Sequence, residues 1–136
     1  MLVQPVQPEI ILATDDARLQ SKVERLFAKS TLTVRNSTTA NFILNLLRTD
    51  DKSSQQYVFI DLDGKSFNGY ELARDIKEAV AHVRIVGASF AVEPSVIQKT
   101  KLYSIDLLLQ RFAMEKLLKT LAEGSPKAIE EVKGNN

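Results

Sequence analysis

Cysteine and tryptophan are absent from the 136 residues, histidine occurs once, and glycine and proline account for only five and four residues. Without cysteine the chain can form no disulfide, thiol nucleophile or cysteine metal site, which fits a reducing compartment. The single histidine, His82, excludes a multi-histidine metal centre. No apolar run approaches the roughly 20 residues that a transmembrane helix needs.

Charge of either sign is also not in excess. Lysine and arginine total 18 and aspartate and glutamate total 17, so the net charge is +1. This balance gives no reason to expect nucleic acid or an anionic membrane as a partner. The N-terminus has no basic segment followed by an apolar core, so no secretory signal is visible and we expect a cytoplasmic protein. The composition, 44% hydrophobic and 26% charged, is that of one globular domain.

Two short arms flank this domain. Pro5 and Pro8 mark residues 1–8 as an extended N-terminal arm. Residues 124–136 open with Gly124 and Pro126 and are mostly polar, so they are predicted to be a C-terminal tail or the start of a linker. Residues 9–123 remain for the folded domain.

Short apolar runs alternate with amphipathic segments throughout this central part. The apolar runs cover residues 10–13, 31–34, 57–60, 83–86 and 106–109. Helical spacing of apolar residues follows each run, over 17–29, from Ser37 or Thr38 onward, and over 70–81, 93–103 and 113–122. Runs that are apolar throughout indicate strands buried on both faces. We therefore predict an α/β fold with a five-stranded parallel sheet between helices.

Acidic residues follow two of the predicted strands. Asp15 and Asp16 come after the first run, and Asp61 after the third. The carboxyl ends of parallel strands meet at one edge of a sheet, where ligands usually bind. Three carboxylates there would repel each other, and Mg²⁺ would relieve the repulsion. A carboxylate beside that metal can attack phosphorus and form an aspartyl phosphate. The alternative is that these residues are helix caps and loop acids.

The residues around these acids resemble receiver domains of bacterial response regulators from about Ile10 to Leu121. The first strand reads IILATDDARLQ, and the third reads YVFIDLDGKSFNGYELARDIK. In the receiver family a glycine stands eight residues after the phosphorylated aspartate, and Asp61 with Gly69 meets that spacing. The resemblance implies the flavodoxin-like receiver fold with strand order 2-1-3-4-5.

The resemblance also implies roles for four aspartates. Asp61 would be the phosphoacceptor, Asp16 would bind Mg²⁺ directly, and Asp15 would bind it mainly through water. Asp63 would contribute its backbone carbonyl. A histidine kinase or phosphotransfer protein would be the partner on one side, and an output domain or protein on the other. Homodimerisation is possible, and neither DNA binding nor enzymatic turnover is expected of the domain itself.

Three positions depart from the receiver pattern. The fourth strand normally ends in Thr or Ser, and the aligned residue is Gly87, with Ser89 two residues on. The fifth strand normally ends in lysine, which is Gln110 here, and the aromatic residue three positions earlier is Leu107. Arg111 follows Gln110, and strand alternation predicts that it points away. The acidic pocket is then expected to lack a fixed cation.

Three functions therefore compete. The chain is a phosphorylatable receiver, or a pseudo-receiver that serves as a phosphorylation-independent protein-interaction module. The third alternative rests on residues 59–64, FIDLDG, which also resemble the first motif of haloacid dehalogenase-like phosphatases. In that case Asp61 is the nucleophile and Asp63 the general acid. Two β-α units precede the motif and no acidic pair follows in 85–122, which argues against this phosphatase function.

Overall fold

A computed structural model describes residues 9–47 and 55–124 of the chain. The predicted N-terminal arm, residues 1–8, lies outside the described residues. Of the predicted C-terminal tail, 124–136, only Gly124 is described.

Five strands alternate with five helices along the described chain, in agreement with the predicted pattern. The strands are β1 (Glu9–Ala13), β2 (Val34–Asn36), β3 (Gln56–Asp61), β4 (Arg84–Ser89) and β5 (Leu107–Gln110). The helices are α1 (Ala17–Phe27), α2 (Ala40–Leu47), α3 (Gly69–Ala79), α4 (Pro94–Leu102) and α5 (Arg111–Ala122). All neighbouring strands are parallel, in the order β2-β1-β3-β4-β5, so the predicted sheet and strand order are confirmed.

The sheet separates two hydrophobic cores. Side chains of β1 and β3 alternate between the faces, so that Phe59 packs with α1 and α5 while Ile60 packs toward α2 and α3. Every residue of β3 is buried, which explains why its central residues, 57–60, are apolar without alternation. Burying a side chain such as Phe59 contributes about 1.5–3 kcal/mol, so burial of β3 holds the strand between the two cores.

Several element boundaries differ from the predicted ones by one to three residues, and three of these differences matter for the sheet and its edge. β2 begins at Val34 and not at residue 31, because the Ser30 hydroxyl accepts from the amide of Leu32 and holds a turn there. β4 continues past its apolar run as far as Ser89. α5 begins at Arg111, two residues before the predicted start. The last two differences decide which side chains lie at the carboxyl edge of the sheet.

Two of the helices that start at this edge, α1 and α3, are fixed by side-chain caps. Asp16 accepts hydrogen bonds from the backbone amides of Arg18 and Leu19 at the start of α1. Asn68 accepts from Tyr70 and Glu71 in the same way at the start of α3. An N-cap of this kind stabilises a helix by about 1 kcal/mol, so both helix starts are held at defined positions beside the sheet.

Candidate functional site at the carboxyl edge of the sheet

Asp61, the predicted phosphoacceptor, is the last residue of β3 and is only 2% exposed. Its Oδ2 accepts a 2.7 Å hydrogen bond from the hydroxyl of Thr14, and its Oδ1 accepts one from the backbone amide of Asp63. Thr14 lies there because Ala13 of β1 pairs with Ile60 of β3. The residues that follow them, Thr14 and Asp61, are therefore neighbours across the two strands. The neighbour of Asp61 on the β1 side is therefore a hydroxyl group and not a carboxylate.

Arg111 also reaches Asp61, and the expectation that it points away is wrong. Nη1 lies 3.5 Å from Asp61 Oδ2, and Nη2 donates a 2.7 Å hydrogen bond to Asp16 Oδ2. Strand alternation does not apply, because Arg111 is the first residue of α5 and not a strand residue. The acidic pocket thus contains a fixed cation, contrary to the expectation drawn from Gln110, which ends β5 and is exposed.

Asp16 connects the cap of α1 to this cation. One carboxylate oxygen receives the amides at the helix start, and the other receives Arg111. Partial burial acts to raise the pKa of Asp16. The hydrogen bond from Arg111 and those from the two capping amides outweigh this effect, and the pKa is lowered. Asp16 is therefore held as a carboxylate.

Asp15 points to a different part of the edge. Its exposed side chain accepts hydrogen bonds of 2.8 and 2.7 Å from the backbone amides of Lys65 and Ser66, in the loop after β3. The pKa of the Asp15 carboxyl is lowered, mainly by its hydrogen bonds from Ser66. Asp15 therefore holds the β3–α3 loop against the loop that follows β1.

Asp63 is the fourth predicted metal residue, and its carboxylate binds the end of β4. Oδ1 accepts from the hydroxyl of Ser89 at 3.2 Å, and Oδ2 accepts from the backbone amide of Phe90 at 2.7 Å. Burial, together with the charge of Asp63, raises the pKa of the nearby Tyr70 hydroxyl. Asp63 joins the loop after β3 to the loop after β4.

Gly87 does not stand at the strand end that its alignment predicted. It lies inside β4, where an added Cβ would meet Leu62 at 2.9 Å and Ile105 at 3.2 Å. The hydroxyl-bearing residue at the strand end is Ser89, which is 4% exposed. The third departing position, Leu107, is the half-buried first residue of β5 and packs against the core under α1 and α5. Gly87 is thus a packing position, and a strand-end hydroxyl is present after all.

The geometry does not fit a magnesium ion as the residues stand. Mg²⁺ needs several oxygens that converge in a nearly octahedral shell. Within residues 9–47 and 55–124, no three acidic or histidine side chains are grouped as possible metal ligands. The predicted set of Asp15, Asp16, Asp61 and Asp63 is brought to one edge, but each carboxylate already accepts hydrogen bonds from donors of the protein itself.

Sequence reasoning missed two residues of the site and misjudged a third. Thr14 could have been found by counting the register of β1 against β3. Phe90, whose ring lies 4.8 Å from the Arg111 guanidinium carbon, carries no sequence signal. The direction of Arg111 depends on whether β5 ends before or after it, and the apolar pattern does not determine that boundary to one residue.

Comparison with solved structures agrees with this architecture. The chain superposes on the signal receiver domain of an HD domain-containing protein from Pseudomonas fluorescens with a TM-score of 0.70 and 17% identity, over 98% of this chain and 95% of that one. A CheY-like response regulator receiver domain protein from Methanospirillum hungatei gives 0.66 at 12% identity, over 92% and 98%. The RcsB response regulator of Salmonella typhimurium gives 0.62 at 16% identity, over 94% and 67%.

The chain has the receiver-domain fold. No family model and no curated protein matches the sequence, and likeness at 12–17% identity establishes the receiver fold alone. Among the helices that the structure describes, none combines the length and apolar character that a bilayer span requires.

Proposed function

We propose that the chain is a signal-transduction domain of the receiver type that acts as a protein-interaction module without phosphorylation of Asp61. The observation that carries this proposal is the state of the Asp61 carboxylate. It is buried, Oδ2 accepts from Thr14 and faces Arg111, and Oδ1 accepts from the amide of Asp63. Burial and these donors restrict the approach of a phosphoryl group to the carboxylate oxygen that would attack it.

The surface around the closed cleft suits a protein partner. Phe90 directly follows β4 and is 67% exposed, and Phe112 is the second residue of α5 and is 66% exposed. Aromatic side chains and arginine are the commonest anchors of protein interfaces, and exposed aromatic residues otherwise have an unfavourable contact with water. An output domain or a partner signalling protein in the cytoplasm is the proposed ligand. No catalytic turnover and no nucleic-acid contact are part of the proposal.

A phosphorylatable receiver is the second candidate, and Ser89 favours it. Ser89 ends β4 one residue beyond Ala88, which pairs with Asp61, so a hydroxyl stands next to the acceptor strand. A histidine kinase or phosphotransfer protein would then be the donor, and the bonds to Asp61 would have to open first. The phosphatase alternative has no such support, because both oxygens of the Asp63 carboxyl group are bonded within the protein, to the Ser89 hydroxyl and to the backbone amide of Phe90.

Exposure to a small phosphodonor tests the proposal. We expect that purified protein incubated with acetyl phosphate and Mg²⁺ keeps its unmodified mass in intact mass spectrometry, because Asp61 is enclosed. The Asp61→Asn variant is the control for modification elsewhere, and a receiver domain known to react is the control for the reagent. A phosphoryl adduct on the wild type that is missing from Asp61→Asn would overturn the proposal in favour of the second candidate.

A further inference from the structure

Arg111 stands between two carboxylates that lie on different strand ends. Its two terminal nitrogens face Asp16 and Asp61, at 2.7 and 3.5 Å from their Oδ2 atoms. A divalent cation held by the carboxylates that follow β1 and end β3 would occupy the same space between them. The guanidinium thus meets the electrostatic need that the sequence assigned to a metal.

The guanidinium is also held in place from its other sides. The Arg111 side chain is 8% exposed, and its Cζ lies 4.8 Å from the centroid of the Phe90 ring. Desolvation strengthens the attraction between the Arg111 guanidinium and the two carboxylates, and the face of the Phe90 ring attracts the guanidinium as well. Its Nε is buried without a hydrogen-bond partner among the described residues, so the side-chain hydrogen bonds of Arg111 within this part of the chain are those of its two terminal nitrogens.

The charges decide whether a metal can enter. Asp16 and Asp61 with Arg111 sum to one negative charge, while the same carboxylates without Arg111 would sum to two. A divalent cation would have to displace the guanidinium, or approach it at a few ångströms and be repelled. At the Oδ1 atoms a metal would have to compete with the capping amides of α1 and with the backbone amide of Asp63.

We propose that Arg111 is an intramolecular replacement for the divalent cation and makes this cleft independent of Mg²⁺. The inference deepens the proposed function and rests on it for the meaning of the cleft. The two proposals are tested by different measurements, because one concerns Mg²⁺ binding and the other concerns phosphoryl transfer to Asp61. Either can fail while the other holds.

A magnesium titration followed by amide NMR tests the inference on the full chain. For the wild type, we expect no saturable shift of the amides of Thr14, Asp16 and Asp61 in millimolar MgCl₂. Arg111→Gln keeps a polar side chain but removes the charge, and we expect it to bind Mg²⁺ at least about tenfold more tightly. That factor is the least that a unit charge about 5 Å from a dication exerts, even at the dielectric constant of water.

Two further variants complete the test. Lys22→Gln removes a cation that pairs with Glu115 at the surface between α1 and α5, and should leave Mg²⁺ binding as weak as in the wild type. Arg111→Met also removes the charge and should likewise bind Mg²⁺ more tightly than the wild type, which provides a second test if Arg111→Gln does not fold. Saturable Mg²⁺ binding by the wild type at these amides, or no gain in folded Arg111→Gln, would overturn the inference.

Discussion

Replacing Arg111 by methionine removes the cation of the cleft while keeping the volume of the stem. Asp61, which is 2% exposed in the wild type, would keep only Thr14 and the amide of Asp63 as donors. Asp16 would lose its 2.7 Å hydrogen bond from Arg111. Breaking a buried ion pair by removing one partner costs about 3–5 kcal/mol, because the other charge stays buried. The remaining donors to Asp61 lower this cost, so we expect a loss of about 2–4 kcal/mol in the free energy of unfolding.

A double-mutant cycle separates the ion pair from the packing of the stem. Asp61→Asn removes the charge that Arg111 compensates, so Arg111→Met should cost less in that background. We expect a coupling free energy of about 1–3 kcal/mol between the two positions. Urea unfolding followed by far-ultraviolet circular dichroism gives each value, since the chain contains no tryptophan.

A second ion pair provides the matched control. Lys22 and Glu115 also join α1 to α5, at 2.6 Å, but Lys22 is 62% exposed. Lys22→Met should therefore change the free energy of unfolding by less than about 1 kcal/mol. If Arg111→Met is no more destabilising than Lys22→Met, and its coupling to Asp61 is absent, the burial argument for Arg111 is refuted.

Three smaller perturbations probe the rest of the edge. Thr14→Val removes the hydroxyl that Asp61 accepts and should lower the free energy of unfolding by about 1.5–3 kcal/mol in urea titrations. Gly87→Thr adds a side chain against Leu62 and should lower the thermal midpoint, at a cost of about 1–3 kcal/mol. Asp16 stabilises the fold above the ordinary carboxyl pKa of about 3.9 and loses that contribution as the pH falls through its lowered folded pKa, so stability should decline below about pH 4. The Asp16→Asn variant should show a shallower decline in an acid unfolding series.

Each of these three perturbations has an outcome that would count against it. Thr120→Val is the control for Thr14→Val, since its hydroxyl bonds only its own helix, and equal losses from both would remove the special role of Thr14. A Gly87→Thr variant as stable as the wild type would show that Leu62 can move aside. If the free energy of unfolding of Asp16→Asn declined as steeply with falling pH as that of the wild type, Asp16 would be excluded as the group responsible for the decline.

Much of the fold was predictable because the apolar runs are long and continuous. β1 and β3 are buried on both faces, so their runs have no alternation and indicated a parallel sheet directly. β2 was displaced by about three residues, because a local hydrogen bond from Leu32 to Ser30 competed with strand pairing where the sequence is rich in β-forming residues.

The site was less predictable, because it depends on the last residue of each element. The apolar run stops at Val86, but β4 continues to Ser89 through backbone pairing with β3 and β5. Backbone pairing leaves no pattern in the side-chain sequence from which the strand end could be predicted. The carboxylates were correctly placed at one edge, but their hydrogen-bond partners were not predictable. Most of these partners are backbone amides of loops, which any residue type supplies.

Arg111 shows how a boundary error becomes a functional error. As a strand residue after Gln110 it would point away from Asp61, and as the first helical residue it turns toward it. A shift of one residue in the end of β5 therefore decides whether the cleft has its own cation. Apolar periodicity does not resolve such shifts, because Gln110 and Arg111 are both polar.

A crystal structure of the protein grown in excess MgCl₂ tests the central claim most directly. We predict that Arg111 Nη2 stays within hydrogen-bonding distance of Asp16 Oδ2, with no hydrated ion between the carboxylates of Asp16 and Asp61. A six-coordinate ion at Asp61, with the Arg111 side chain turned out to solvent, would contradict the account.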